Sequence, residues 1–141
     1  MLWPRRSAEP ALQVAALVPT PVDPRHQLGR EGERLAERLL RKSGLRSVAR
    51  HFNTPVGELD LVMRDGDTLV FVEVKTRRDR KFADPEDALT REKRRRLLQT
   101  ARWYIEHTGW GDRPCRFDVV TAVVSSEGEP QLVHYPDAFE A

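Results

Sequence analysis

The sequence predicts a mixed α/β domain, a central sheet with helices packed on it. Three observations carry that expectation. Two segments, one near the start of the domain and one past its middle, repeat apolar residues at helical spacing. Between them, two strand-like runs meet at Asp65-Gly66, a strong hairpin signal. Two Val-containing runs follow the second helical segment. The resulting order is helix, three strands, helix, two strands.

The size agrees with one domain. The chain has 141 residues, 39% of them hydrophobic and 33% charged, enough for one modest core. No apolar run approaches the ~20 residues that span a bilayer, so no membrane partner is expected. Cys115 is the only cysteine, which excludes an internal disulfide and suits a reducing, cytoplasmic setting.

The first 26 residues read differently. Pro4, Pro10, Pro19, Pro21 and Pro24 are half of the chain's prolines, and each removes a backbone donor and restricts its neighbour. Arg5-Arg6 before the apolar run Ala11 to Val18 has the order of a secretory leader, but the run is short and Pro19-Thr20-Pro21 is a poor cleavage site. The expectation is a disordered proline-rich arm over residues 1–26 and a domain over 27–141.

Each element has its own signal. Leu28, Leu35, Ala36, Leu39 and Leu40 share a helical face, and Gly44 ends it. Leu45 to Phe52 reads as a strand. Glu58 to Met63 alternates apolar and acidic residues, and Thr68 to Thr76 is rich in Val and Phe. Thr90 suits the cap of a second helix, Lys93 to His107, striped with Leu97, Leu98, Ala101, Tyr104 and Ile105. Arg116 to Val124 reads as a buried strand and Gln131 to Tyr135 as a short edge strand.

The hairpin gathers carboxylates. Alternation puts Glu58, Asp60 and Val62 on one face of the first arm, opposite Leu59, Leu61 and Met63. In the second arm Glu73, Lys75 and Arg77 share a face. A two-residue Asp65-Gly66 turn sets Asp60 against Phe71; a loop two residues longer sets it against Glu73. Both registers leave Asp60, Glu73 and Lys75 on one face. Opposed acids repel, and a divalent cation, a proton or the Lys75 amine would relieve them. Hard oxygen donors suit Mg²⁺ or Mn²⁺, and no His or Cys pair has zinc spacing. Such a metal polarises a phosphodiester and activates a water, with Lys75 placed to stabilise developing charge. On geometry alone, a solvated salt-bridged face is the competing reading.

Gly57-Glu58-Leu59-Asp60-Leu61-Val62 and Phe71-Val72-Glu73-Val74-Lys75-Thr76-Arg77 closely resemble the YraN-like family of bacterial proteins. The likeness continues through Leu97-Leu98-Gln99-Thr100-Ala101, Cys115-Arg116-Phe117-Asp118-Val119-Val120 and Pro136-Asp137-Ala138-Phe139. It spans residue 27 to the end. That family is similar to the restriction-endonuclease-like nucleases, which include Holliday-junction resolvases. Their pattern is a helical acid, an Asp on one strand and Glu-x-Lys on the next. The resemblance therefore implies a restriction-endonuclease-like core. Carried over residue by residue, it implies a catalytic set of Asp60, Glu73, Lys75 and the helical acid Glu33, with Asp60 and Glu73 as metal ligands. Gly57-Glu58 departs from the residues that many nucleases carry before the Asp, which leaves Glu58 without an assigned role. Similar resolvases work as homodimers, an arrangement compatible with this chain. Asp118, inside an apolar strand, calls for a partner such as an arginine and reads as structural.

The formal charge of +2 conceals a gradient. From Lys75 to Arg102 there are eleven Lys and Arg against five acids. Arg77, Arg78, Lys93, Arg94, Arg95 and Arg96 are the expected phosphate contacts. Nucleic acid, DNA first, is the expected partner, read through its backbone rather than its bases. Trp103 and Trp110 read as packing residues rather than stacking platforms, Cys115 as a small buried hydrophobe, and His107 and His134 as lacking metal-like companions. The expected function is metal-dependent endonucleolytic cleavage. The alternatives are an inactive nucleic-acid-binding module and a protein-interaction domain that uses the basic helix.

Overall fold

A computed structural model of the chain describes residues 24–78, 89–125 and 128–139. Most of the arm, residues 1–23, lies outside these, as do Arg80 and Lys81 of the basic segment. Helix α1 (Pro24–Lys42) is followed by β1 (Arg46–Asn53), β2 (Glu58–Asp65) and β3 (Thr68–Arg77). Helix α2 (Arg91–Thr108), β4 (Cys115–Val123) and β5 (Gln131–Phe139) complete the order that the sequence predicts. The helix starts at Pro24, a residue type tolerated in a first turn because its missing N–H has no partner there anyway.

The five strands form one mixed sheet in the order β1-β2-β3-β4-β5. Among the described strands β3 and β4 run parallel, and the other neighbours are antiparallel. The α2 segment makes the crossover between the parallel pair, as such a connection requires. This is the mixed α/β arrangement of a restriction-endonuclease-like core.

Each helix covers its own apolar cluster. Ala36 and Leu40 of α1 pack with Leu45, Leu61, Met63, Val70, Val72 and Val120. Ala101 and Tyr104 of α2 pack with Leu59, Val62, Leu69, Phe71, Phe117 and Val119. Thr90 caps α2 by accepting a hydrogen bond from the Lys93 N–H at 3.2 Å, and Gly109 closes it in the left-handed region at φ 72°. Gly32 allows α1 to sit close on β3: a Cβ there would lie 2.0 Å from Thr76 Oγ1.

Three local expectations are corrected. The hairpin turn is Gly66–Asp67 rather than Asp65-Gly66, since Asp65 pairs with Thr68. Gly66 at φ 60° takes the first central position, the place that a type II′ turn reserves for glycine. Strand β5 runs on to Phe139, because the Phe139 ring stacks on Phe117 with centroids 4.8 Å apart. Cys115 is exposed at the start of β4 rather than buried.

The alternation in β2 also breaks. Leu59 and Leu61, two residues apart, belong to the clusters on opposite faces of the sheet. The break falls at Asp60. In the β1–β2 ladder the rung that would join His51 to Asp60 is missing between Arg50↔Leu61 and Phe52↔Leu59. His51 there has φ 47°, a left-handed conformation uncommon for a non-glycine residue. Tertiary packing imposes this kink, and no local pattern in the sequence announces it.

Candidate active site

The β2–β3 ladder ends at Leu61↔Val72. One step further, Asp60 and Glu73 come face to face, which is the register with opposed acids. The strands no longer exchange backbone hydrogen bonds there. Instead the Val74 N–H donates to Asp60 Oδ2 at 3.1 Å, so the carboxyl fills the opening. Burial, the charge of Glu73 and a hydrogen bond shared with Glu73 push Asp60 up to about 9. A raised pKa is the direction that opposed acids dictate, since a proton on one removes the repulsion.

Lys75 follows on the same strand, with Nζ 3.3 Å from Glu73 Oε2. Lys93, from the first turn of α2, lies beside it. The Lys75 ammonium, with a hydrogen bond from the same residue, holds Lys93 below the usual lysine range. Arg77 adds to that effect and Glu73 opposes it. A pair of acids and a pair of lysines therefore meet at one point.

Glu33 reaches the site from α1. The close approach that Gly32 permits sets its carboxyl among His51, Glu58 and Glu73. Burial raises its pKa; His51 and Arg30 lower it, while Glu58 and Glu73 raise it further. Glu33 Oε1 is buried without a hydrogen-bond partner, its ion-pair contact being His51 Nε2 at 3.0 Å. His51 Nδ1 lies 3.6 Å from Glu58 Oε1. Thus Glu58 belongs to the outer edge of the cluster, through His51.

The structure brings Asp60, Glu73, Lys75, Glu33 and Lys93 together, with Arg77 within electrostatic reach. It disperses the others. Arg78 is exposed just beyond β3. Arg94 lies over the Phe139 ring at 5.7 Å, Arg96 pairs with Glu92 at 3.6 Å, and Arg95 is exposed. Three consecutive helical residues point 100° apart, so a run of arginines is not a patch. Trp110 is buried and Trp103 stacks on His107 at 3.9 Å, so both pack. Asp118 meets its expected arginine, Arg116, at 3.0 Å.

Sequence reasoning missed His51. Its signal is its register position opposite Asp60, which the kink obscures. It also missed Arg30, Arg34, Arg38 and Arg41, exposed at nearly regular four-residue spacing along α1.

A model of the uncharacterised protein family UPF0102 matches residues 32–122. The chain belongs to the UPF0102 family. Curated UPF0102 proteins agree along most of their length. One from Desulfosudis oleivorans is 42% identical over 117 residues, covering 83% of this chain and 93% of the relative. One from Pseudomonas aeruginosa is 44% identical over 116 residues, covering 80% and 92%. One from Symbiobacterium thermophilum is 42% identical over 115 residues, covering 82% and 98%. The match begins at Gly32, just before Glu33, and takes in every acid of the UPF0102 site described above.

Hard oxygen donors dominate that site. Among the described residues no group of three or more His, Cys, Asp or Glu is arranged to hold a metal ion by itself. Mg²⁺ does not need one, since it is ordinarily held by one or two carboxylates and completes its shell with water. The opposed carboxyls of Asp60 and Glu73, with the buried Glu33 carboxyl beside them, are a donor set that fits such an ion. No helix among the described residues is long and apolar enough to cross a membrane.

Proposed function

We propose that this UPF0102 protein binds DNA and hydrolyses its phosphodiester bonds with Mg²⁺ or Mn²⁺ held by Asp60 and Glu73. One observation carries the reading: two like-charge pairs, Asp60 with Glu73 and Lys75 with Lys93, are packed side by side at the opening between β2 and β3. Each pair is unfavourable in isolation. A divalent cation relieves the first, and a phosphate relieves the second. Both ligands meet in a single substrate complex, a metal-bound phosphodiester.

The bound metal supplies Lewis acidity toward the phosphoryl oxygens and lowers the pKa of a coordinated water. The chain's own groups do the rest. Asp60 would hold the metal as a carboxylate, and the Val74 N–H, donating to Oδ2 at 3.1 Å, orients that group. Glu73 is fixed between Asp60 and Lys75. The Lys75 ammonium, 3.3 Å from Glu73, is placed to stabilise charge developing on the phosphoryl group. Lys93, whose proton is loosened by its neighbours, stands next to Lys75 as a second cation or a proton donor to the leaving oxygen. Glu33, paired with His51 at 3.0 Å, would act as an outer carboxylate able to orient a water.

The test is a cleavage screen over linear, single-stranded and branched DNA with Mn²⁺, run beside Glu73→Ala. Loss of at least about a hundredfold in rate is expected for the variant. Cleavage that survives the substitution would come from elsewhere, and the reading would then be abandoned.

A further inference from the structure

The basic segment that stands out in the sequence lies around α2. The structure places a second one against α1, and a groove joins it to the acids. Between α1 and β1 lie two adjoining cavities of about 530 and 400 Å³. Arg34, Glu37 and Arg50 line both. The first also reaches Glu33 and His51, and the second extends to Arg38, Arg41 and Lys42.

Its electrostatics are one-sided. Arg30, Arg34, Arg38 and Arg41 fall within a narrow stripe of α1, all exposed. Arg34 and Arg38 make no ion pair among the described residues. The acid on the groove floor, Glu37, is already committed: Arg50 Nε donates to its Oε1 at 2.7 Å, and Ser47 donates to Oε2. Burial alone would push Glu37 up, but these hydrogen bonds outweigh it and keep its carboxyl below the usual range. Glu37 therefore stays ionised while Arg50 pins it, Arg41 adds a weaker charge attraction, and Arg34 and Arg38 are left for an external anion. From Arg30 to Arg41 the helix rises about 16 Å, which matches the axial rise of about five nucleotides at 3.4 Å each.

We infer that the α1–β1 groove is a nucleic-acid track: it holds the sugar–phosphate backbone of the DNA strand on its way into the Glu33–Asp60–Glu73 site, through Arg34, Arg38 and Arg41. This rests on the nuclease reading for its direction, but the binding it describes needs no metal. The arginine stripe neutralises phosphates by charge alone, so its signature is the salt dependence of binding. The groove beside α1 and Lys93 of α2 flank the site from opposite faces of the sheet, one carrying the strand in and the other beside the reacting phosphate.

The test uses the full chain in EDTA with a labelled 20-nucleotide single strand and a 20-base-pair duplex, titrated by anisotropy from 50 to 300 mM KCl. For Arg34→Gln/Arg38→Gln/Arg41→Gln, affinity should fall at least tenfold at 50 mM. The slope of log affinity against log salt should shrink by about 2 to 3. The matching triple Lys variant keeps the charges and should retain the wild-type slope, which holds even if the Gln triple is poorly folded. Unchanged affinity and slope in a folded Gln triple would overturn the track and leave the nuclease proposal standing. Failure of wild type to bind either DNA would overturn both. Weakened binding in a protein that cleaves nothing with Mn²⁺ would keep the track and remove the nuclease proposal. Competition by polyglutamate as strong as that by DNA of equal charge would also overturn the track, as an acidic protein would then be the ligand.

Discussion

Asp60 and Asp118 are carboxylates set among apolar strand residues, two strands apart, and their surroundings differ in kind. Asp118 is 1% exposed and every side of it is answered. Arg116 donates Nε to Oδ1 at 3.0 Å and reaches Oδ2 at 3.3 Å, His134 Nε2 lies 2.7 Å from Oδ2, and the Asp137 N–H donates to Oδ1 at 2.9 Å. The same Arg116 also holds Asp65 at 2.9 Å, tying the hairpin end to β4. Asp60 has one backbone N–H and two acids for company. A buried charge that is fully paired serves the fold. A buried carboxyl held among other acids favours its proton, or a cation in the proton's place. Under the proposed function, that contrast separates a carboxylate that anchors the fold from one that works in the site.

The contrast is broken or sharpened by substitution. Asp118→Ala leaves the Arg116 guanidinium without its carboxylate in a part-buried setting, and should cost about 3–5 kcal/mol, read by urea melts. A loss under 1 kcal/mol would mean that Asp118 is not the anchor its contacts suggest. Gly32→Ala forces α1 off Thr76 and should cost about 1–3 kcal/mol, with much of it recovered in Gly32→Ala/Thr76→Ala. Lack of recovery would place the strain elsewhere.

Asp60→Asn should do the opposite of Asp118→Ala. Because Asp60 binds its proton more tightly when folded, its contribution to stability is complete below about pH 4 and drains away as pH rises toward about 9. The metal-free protein should therefore lose stability between pH 6 and 9. Asp60→Asn should flatten that fall and gain about 1–3 kcal/mol at pH 8.5, measured by thermal melts in EDTA. A pH profile unchanged by the substitution would show that Asp60 is ionised at neutral pH. The smallest expected effect is Thr90→Ala, about 1 kcal/mol through the lost α2 cap.

Much of this was legible in the residues. The stripes of both helices, the Thr90 cap and the Val-rich hairpin arms each carry a period or a capping signal that acts locally. Asp60, Glu73 and Lys75 were readable because both candidate registers of the hairpin put them on one face. What was not legible depends on distant packing. The kink at His51 flips the faces of β2, and only the completed sheet shows it. The turn slid by one residue because Gly66, not Asp65, takes the left-handed position. The arginines of α1 were visible at helical spacing, but their meaning comes from β1, which supplies Arg50 and closes the groove. The run Arg94-Arg95-Arg96 was the reverse case, conspicuous in sequence and scattered by helical geometry.

If Asp60 and Glu73 hold a metal as proposed, the Asp60 proton stands where that cation would bind. Calorimetric titration of Mn²⁺ at pH 7, repeated in buffers of different ionisation enthalpy, tests it most directly. Binding accompanied by release of about one proton is expected, with both the binding and the release lost in Asp60→Asn. Absence of Mn²⁺ binding by wild type, or binding that persists with its proton release in Asp60→Asn, would contradict it.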